Sequence, residues 1–392
     1  MNAEPAVATA NVFRWPATRV VSVQAAGGLE ELASQRFLVL ASSTAGRSPV
    51  ATDLLRSLGP RAVHAELHVG SHSRRETLDG IVAAAAGKAP DAILAIGGGS
   101  VFDMAKAVSM MLGEEAPLEA LATRVLPEGG LHQPRLDGPR LPIVAFPSTL
   151  SGAETTFGFS IRDADGRKLM FWDPRLSANT VVMSQSLVDS VPKRVLAGSA
   201  FNALAHCVEA AYSRTRNEVT DALSECGARS LLAGMEQLAS GDEQGRSRAV
   251  ASLFTGAHFA ALAITQARVG LHHAICHALG GRLGISHGDA NALMLPLVVA
   301  FNAPHAGAPF DDFLSNIGFG RPREDAVGRL VERLLGLRDR FGLPSSLRHV
   351  QVERDHLAGL VADVLDDRGS HFNPKRPTAN DIGAILGLAF DR

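Results

Sequence analysis

Four short, continuously apolar runs punctuate the first half of the chain: "RFLVLAS" from Arg36, "DAILAIGGG" from Asp91, "LPIVAFPST" from Leu141 and "NTVVMSQ" from Asn179. A strand that is apolar at every position must be covered on both faces, and helical patterns separate these runs. The spacing therefore predicts a parallel sheet wrapped by helices. After Pro192 the character changes to long stretches with Ala and Leu at helical spacing, broken by "ASGDEQG", "NAPHAGAPFDD", "GFGRPRED" and "FGLPSS". At 392 residues the chain exceeds what one core usually spans. The expected architecture is α/β plus all-α: an α/β domain over residues 1–190 and an all-helical domain over residues 191–392.

The second run continues as "AILAIGGGSVFDMAKAV", a strand, three glycines (Gly97, Gly98, Gly99) and an amphipathic helix. Ser100 is placed to cap that helix, with Asp103 three residues on approximating a capping box. Glycine lets backbone approach an anion closely, and a helix N-terminus adds free N–H groups and partial positive charge, so a pyrophosphate fits there. The stretch is neither GxGxxG nor a Walker A motif, so those fingerprints do not name the ligand. "AFPSTLSGAETT" follows another strand and offers Ser148, Thr149, Ser151 and Thr155 as short donors. Either loop alone is explained by ordinary turn chemistry; together they suggest a shared ligand.

"GLHHAICHALGGRLGISHG" holds His272, His273, His277 and His287. His273 and His277 share a helix face, as do Asn202 and His206 in "NALAHCVEA", each pair with side-chain roots roughly 6 Å apart. His272 and Cys276 pair on a different face, and His287 follows what reads as a glycine turn at Gly280 and Gly281. Two helices projecting such pairs inward can close a metal site or an acid–base site. A lone histidine is more often a satisfied core residue. Cys207 and Cys276 adjoin site histidines, but neighbouring helical residues diverge by about 100°, so they read as core residues.

Charge excludes little and suggests nothing exotic: 38 basic against 40 acidic residues give a net charge of -2, with no call for nucleic acid. Three cysteines without a CxxC argue for a reducing, cytoplasmic setting. The N-terminus carries Glu4 and no basic residue before Arg14, unlike a signal peptide, and no apolar run suggests a membrane span.

Taken together, "GGGSVFDMAKA", "FPSTLSGAETT", "NALAHCVEA", "GLHHAICHALGGRLGISHGDANALMLPLVVAFN" and the tail "NPKRPTANDIGAIL" resemble the iron-containing alcohol dehydrogenase family. "LHHAICHALGG", "DPRL" and "NALAHCVEA" look closest to its maleylacetate reductase branch, although Asp103 is more usual in the broad family. The resemblance implies a dehydroquinate synthase-like architecture: a dinucleotide-binding domain, a helical domain and an active site in the cleft between them. Gly97, Gly98, Gly99 and Ser100 would hold the pyrophosphate of NADH or NADPH with Asp103 nearby, and Ser148, Thr149 and Ser151 would contact its phosphate or nicotinamide side. Ser42 stands where family members selecting NAD tend to carry Asp, and Arg47 could reach a 2′-phosphate, so NADPH is as plausible as NADH.

Metal-binding members use an Asp and a His one turn apart, then two histidines 14 residues apart; the matching positions here are Asn202, His206, His273 and His287. A neutral amide is a poor substitute for a carboxylate at a divalent cation, so the expectation is that no metal, iron or zinc, is required; if one binds, it is held by His206, His273 and His287. The implied activity is hydride transfer to an activated carbonyl or enone, as in maleylacetate reduction to 3-oxoadipate. His206, His273, His277, His287 and Asn202 would form the catalytic surround. Alternatives are a small aldehyde or ketone reductase, a metal-dependent cyclase resembling dehydroquinate synthase, or a non-catalytic binding protein. A dicarboxylate needs fixed cations, for which Arg268 and Lys168 are candidates. The expected partners are a small-molecule substrate and a second copy in a homodimer, with neither nucleic acid nor membrane.

Overall fold

The four apolar runs form the four interior strands of a six-stranded parallel sheet, seen in a computed structural model that describes residues 16–23, 34–70, 73–126, 131–241 and 243–391. The strands are β1 (Arg19–Val23), β2 (Phe37–Ser42), β3 (Ala62–Val69), β4 (Ala92–Gly97), β7 (Ile143–Pro147) and β10 (Thr180–Ser184), in spatial order β1-β10-β7-β4-β2-β3. Alternate residues face opposite layers. Leu38, Leu40, Ile93 and Ala95 pack under α2 (Arg75–Ala85) and α3 (Gly99–Met111), while Phe37, Val39, Leu94 and Ile96 pack under α1 (Pro49–Leu58). This two-sided burial is why the interior strands read as unbroken apolar runs. The edge strands β1 and β3 are half wet and carry polar residues, and they escape the same reading. The residues bearing on a signal peptide, 1–15, lie outside the described stretches.

Between α3 and the last strand lie the turn α4 (Leu118–Leu121), the two-residue strands β5 (Arg124–Val125) and β6 (Leu131–His132), and an antiparallel hairpin, β8 (Gly158–Arg162) with β9 (Lys168–Trp172). A short helix, α5 (Gln185–Asp189), leads out of the sheet. The rest is helical: α6 (Lys193–Tyr212), α7 (Glu218–Ser240), α8 (Glu243–Ala267), α9 (Leu271–Leu283), α10 (His287–Asn302), α11 (Ala308–Asn316), α12 (Arg323–Arg340), α13 (His356–Asp366) and α14 (Ala379–Asp391). The α/β plus all-α expectation is thus met.

Helix α6 is buried on every side from Ala200 to Tyr212, which makes it the axis of the bundle, packed by α7, α8 and α10. Within α8, Gly245–Ala267 is long and apolar enough to cross a membrane by length and composition, but 67% of the assessed stretch is buried, as in a core helix. Two sequence expectations need correction. Gly280 and Gly281 are helical residues of α9, and the chain turns instead at Gly284, where φ is +68°. Ser100 lies inside α3, whose N-cap is Gly98 without a side-chain cap. The Asp103 carboxylate does not close a capping box; it accepts from the Ser160 amide (3.1 Å) and hydroxyl (3.3 Å) at the hairpin.

Candidate active site

Two glycines set how closely the site-bearing helices approach. A methyl group built on Gly198 of α6 would lie 3.0 Å from the Gly288 Cα of α10, so the backbones touch. One turn along α6 is Asn202, and next to Gly288 is His287. Their side chains meet because nothing larger than hydrogen separates the helices. Gly198→Val should force them apart, with an overpacking cost of about 1–3 kcal/mol in chemical denaturation and a loss of kcat larger than that destabilisation explains. Retention of wild-type kcat would show that this close approach does not position the site.

The Asn202 amide joins the imidazoles. Its Oδ1 lies 3.0 Å from His273 Nε2 and 3.1 Å from His287 Nε2. An amide oxygen only accepts, so both rings present Nε2–H to it. His206 stacks on His273 with centroids 4.6 Å apart and planes 10° from parallel, and its Nδ1 is buried without a partner among the described residues. Burial first, and neighbouring imidazoles second, hold His206, His273 and His287 well below the usual histidine range. They are neutral donors at physiological pH.

Glu209 completes this network from below. Helix α9 starts at Gly270 without a side chain of its own to cap it. Glu209 Oε1 accepts from the Gly270 amide (3.0 Å) and the His273 amide (3.3 Å), and Asn373 Oδ1 accepts from Leu271 (3.1 Å). Its other oxygen, Oε2, lies 2.5 Å from His273 Nδ1. Because His273 spends its one ring hydrogen on Asn202, Glu209 supplies the proton in that contact. Burial agrees with this assignment, pushing the Glu209 carboxyl up to about 7.

His277 lies at the wetter edge, its ring 6.0 Å from His273 and 6.2 Å from His287. Asp367 Oδ2 accepts from His277 Nδ1 at 2.9 Å. Burial pushes Asp367 up, but His277, Lys168 and the Gly369 amide together hold it well below the usual carboxylate range. His272 turns away, with Nε2 on Asn291 (2.8 Å) and the Cys276 thiol at 3.6 Å. All three cysteines are free, and Cys207 and Cys276 are buried in the core. Asp367 and Glu209 were not singled out from the sequence. Glu209 is legible afterwards as the acid one turn after His206, whereas Asp367 follows α13 in a segment with no periodic signal.

The glycine turn and the Ser/Thr loop lie edge to edge. Ser148 donates its amide to Gly97 O (2.8 Å), and a methyl on Gly98 would come 3.1 Å from the Thr149 side chain. Gly97 has φ +155°, and a methyl there would strike Val101 at 2.7 Å. Thr149 Oγ1 is buried with no partner among the described residues, while Ser151 Oγ accepts from Ala153. Thr155 instead reaches His258 on α8 (3.3 Å). Ser42 Oγ accepts from Ala45, and Arg47 folds back on Ser43 O (2.8 Å), so both belong to the loop beside Gly97. A side-chain-free cradle, an orphaned hydroxyl and the open first turn of α3 fit a dinucleotide pyrophosphate.

Comparison with known proteins gives the lineage of a chain that carries both a glycine turn and an imidazole cluster. The model "Iron-containing alcohol dehydrogenase" matches residues 19–185, and "Fe-containing alcohol dehydrogenase family, C-terminal" matches residues 196–390. The lactaldehyde reductase of Escherichia coli K12 is 30% identical over 307 residues, covering 76% of this chain and 77% of that protein. Maleylacetate reductase 1 of Cupriavidus pinatubonensis is 30% identical over 359 residues, covering 92% and 90%. An iron-containing alcohol dehydrogenase from Thermococcus thioreducens shares the fold with a TM-score of 0.84 at 22% identity, covering 97% of this chain and all of that one. The chain belongs to the iron-containing alcohol dehydrogenase family and is an oxidoreductase.

Membership suggests nicotinamide dinucleotide use and, typically, iron or another divalent metal. His206, His273 and His287 are the residues that would hold such a metal, with the neutral Asn202 amide among them where a carboxylate would add charge. With Nε2 of both His273 and His287 on Asn202 Oδ1, a metal at this point would require both rings to turn their lone pairs inward.

Proposed function

We propose that the protein is an NADH- or NADPH-dependent reductase that transfers hydride to an activated carbonyl, or to a carbon–carbon double bond conjugated with one, in the manner of maleylacetate reduction to 3-oxoadipate. The observation that carries this reading is the Asn202 amide between His273 and His287, which keeps the imidazoles as neutral N–H donors. The 30% identity over nine-tenths of a maleylacetate reductase supports it.

The reduced nicotinamide, when bound, supplies the hydride. Hydride gain at the double bond pushes its electron pair onto the carbonyl oxygen as an enolate. The ring N–H of His206, which is not committed to Asn202 or Glu209, stabilises that oxygen, as an oxyanion hole does, while Asn202 holds His273 and His287 in place around it. The adjacent carbon then takes a proton. His277, nearest to solvent, first takes a proton from water on Nε2, becoming an imidazolium that ionised Asp367 holds through Nδ1–H, and then delivers that Nε2 proton to the carbon, returning to the neutral ring. The balance is one NAD(P)H and one proton consumed per double bond reduced. The protein would act as a cytoplasmic homodimer in aromatic compound catabolism, with Ser42 and Arg47 admitting NADPH as well as NADH.

The similarity to lactaldehyde reductase favours a second reading, a small aldehyde or ketone reductase. Nicotinamide absorbance with maleylacetate and with small aldehydes, using both cofactors, separates the two. Absence of binding at millimolar NADH and NADPH would sink the reductase reading altogether. A chelator-treated sample is expected to keep most of its activity; complete loss, with recovery on adding iron or zinc, would show that the imidazoles act through a metal.

A further inference from the structure

Three cations gather around the β8–β9 hairpin, beside the His277–Asp367 pair. Arg268 and Arg368 are half-buried and Lys168 is exposed, and among the described residues none of their side chains makes a hydrogen bond or ion pair. Elsewhere the chain answers its buried guanidinium groups: Arg140, for example, is held by Glu114 (2.6 Å) and Asp173 (3.1 Å). A guanidinium offers five N–H donors in a fixed fork, so leaving two such groups unanswered around one hairpin is costly unless a ligand answers them.

The hairpin gathers these residues. Lys168 and Trp172 are four residues apart on β9 and so share a face. The Arg268 guanidinium lies over the Trp172 ring, 4.8 Å from its centroid, which fixes its plane and leaves its edge free. Arg368 reaches Gly158, the cross-strand neighbour of Trp172; a methyl there would be 3.8 Å from Arg368 Nη2. Arg368 also follows Asp367, the partner of His277. Arg268 itself has φ +66°, left-handed backbone that a non-glycine residue adopts at a cost, at the turn that leads into α9 and its histidines. The cluster therefore runs from Trp172 to His277.

We propose that Lys168, Arg268 and Arg368 form a carboxylate-binding subsite, which holds the anionic end of a mono- or dicarboxylate substrate beside His277. This deepens the reductase reading and rests on it for the identity of the reaction, not for the binding itself. The mutual effects of the charges agree: burial, and Arg368 after it, bring Arg268 down to about 10, so an arriving anion relieves repulsion.

Succinate is the probe, titrated calorimetrically into the full-length protein, with neutral succinamide as control. Wild type is expected to bind one succinate per chain, more tightly than succinamide and more weakly as salt rises. Arg268→Gln, Arg368→Gln and Lys168→Gln should each weaken it by about 10-fold or more while retaining native circular dichroism. KM for maleylacetate should rise in parallel, with kcat changing less. Wild type that prefers succinamide or ignores salt overturns the subsite, as do folded variants that bind succinate unchanged. Succinate binding that persists in a protein unable to reduce any carbonyl sinks the reductase reading and leaves the subsite standing.

Discussion

His273→Ala is expected to lower kcat by about 10²-fold or more with the best carbonyl substrate, measured by nicotinamide oxidation under saturating conditions. The size follows from what the ring touches. His273 is 2% exposed, stacks on His206, donates to Asn202 and receives the Glu209 proton. Removing it therefore takes away the partner that fixes the Asn202 amide and the face on which His206 stacks, and frees both to move. Part of the effect will be structural: Glu209 loses its partner, and an unsatisfied buried acid costs about 1–3 kcal/mol. Stability and catalysis separate in the measurement, since destabilisation lowers the folded fraction whereas a misplaced His206 donor lowers turnover of the folded enzyme. A folded His273→Ala variant with wild-type kcat would return this histidine to the role of core filler.

The interior of the sheet was legible because two-sided burial leaves its mark on every residue of a strand, as "AILAIG" and "IVAFP" show. The edge strand "AVHAELHV" was not, since one face meets water and polar residues there carry no penalty. Among the candidate site residues, Asn202, His206, His273, His277 and His287 were legible as helical pairs, and the structure brings their side chains together. The pairing within a helix follows from its period; the meeting of different helices depends on Gly198 and Gly288, whose importance no local pattern reveals. Ser100 was misread as a cap because a serine before an amphipathic run usually is one. Here the backbone of Gly98 takes that place, close against Thr149. Asp367 and Arg368 come from a segment nearly 100 residues beyond the histidines, and only tertiary packing brings them to His277 and the hairpin.

Asn202→Asp is expected to convert the imidazole cluster into a metal site. The substitution changes one amide to a carboxylate with almost the same shape, at a point already within hydrogen-bonding distance of two imidazoles and one helical turn from a third. Its negative charge makes it energetically favourable for His273 and His287 to turn their lone pairs toward a cation. Glu209 can then take the His273 Nδ1 hydrogen as an ionised carboxylate, in the arrangement by which carboxylates orient metal-bound histidines. Affinity for zinc or ferrous iron should rise by about 10²-fold or more over wild type, given that even outer carboxylates change metal affinity by 10–100-fold. Thermal unfolding offers a readout independent of activity: metal at 100 times its Kd should stabilise the variant by about 2.7 kcal/mol and wild type far less. The variant should also lose turnover when stripped by a chelator, where wild type should not. If wild type already binds the metal as tightly as Asn202→Asp, the amide is no barrier to the cation, and the imidazoles would work through a metal rather than on the substrate.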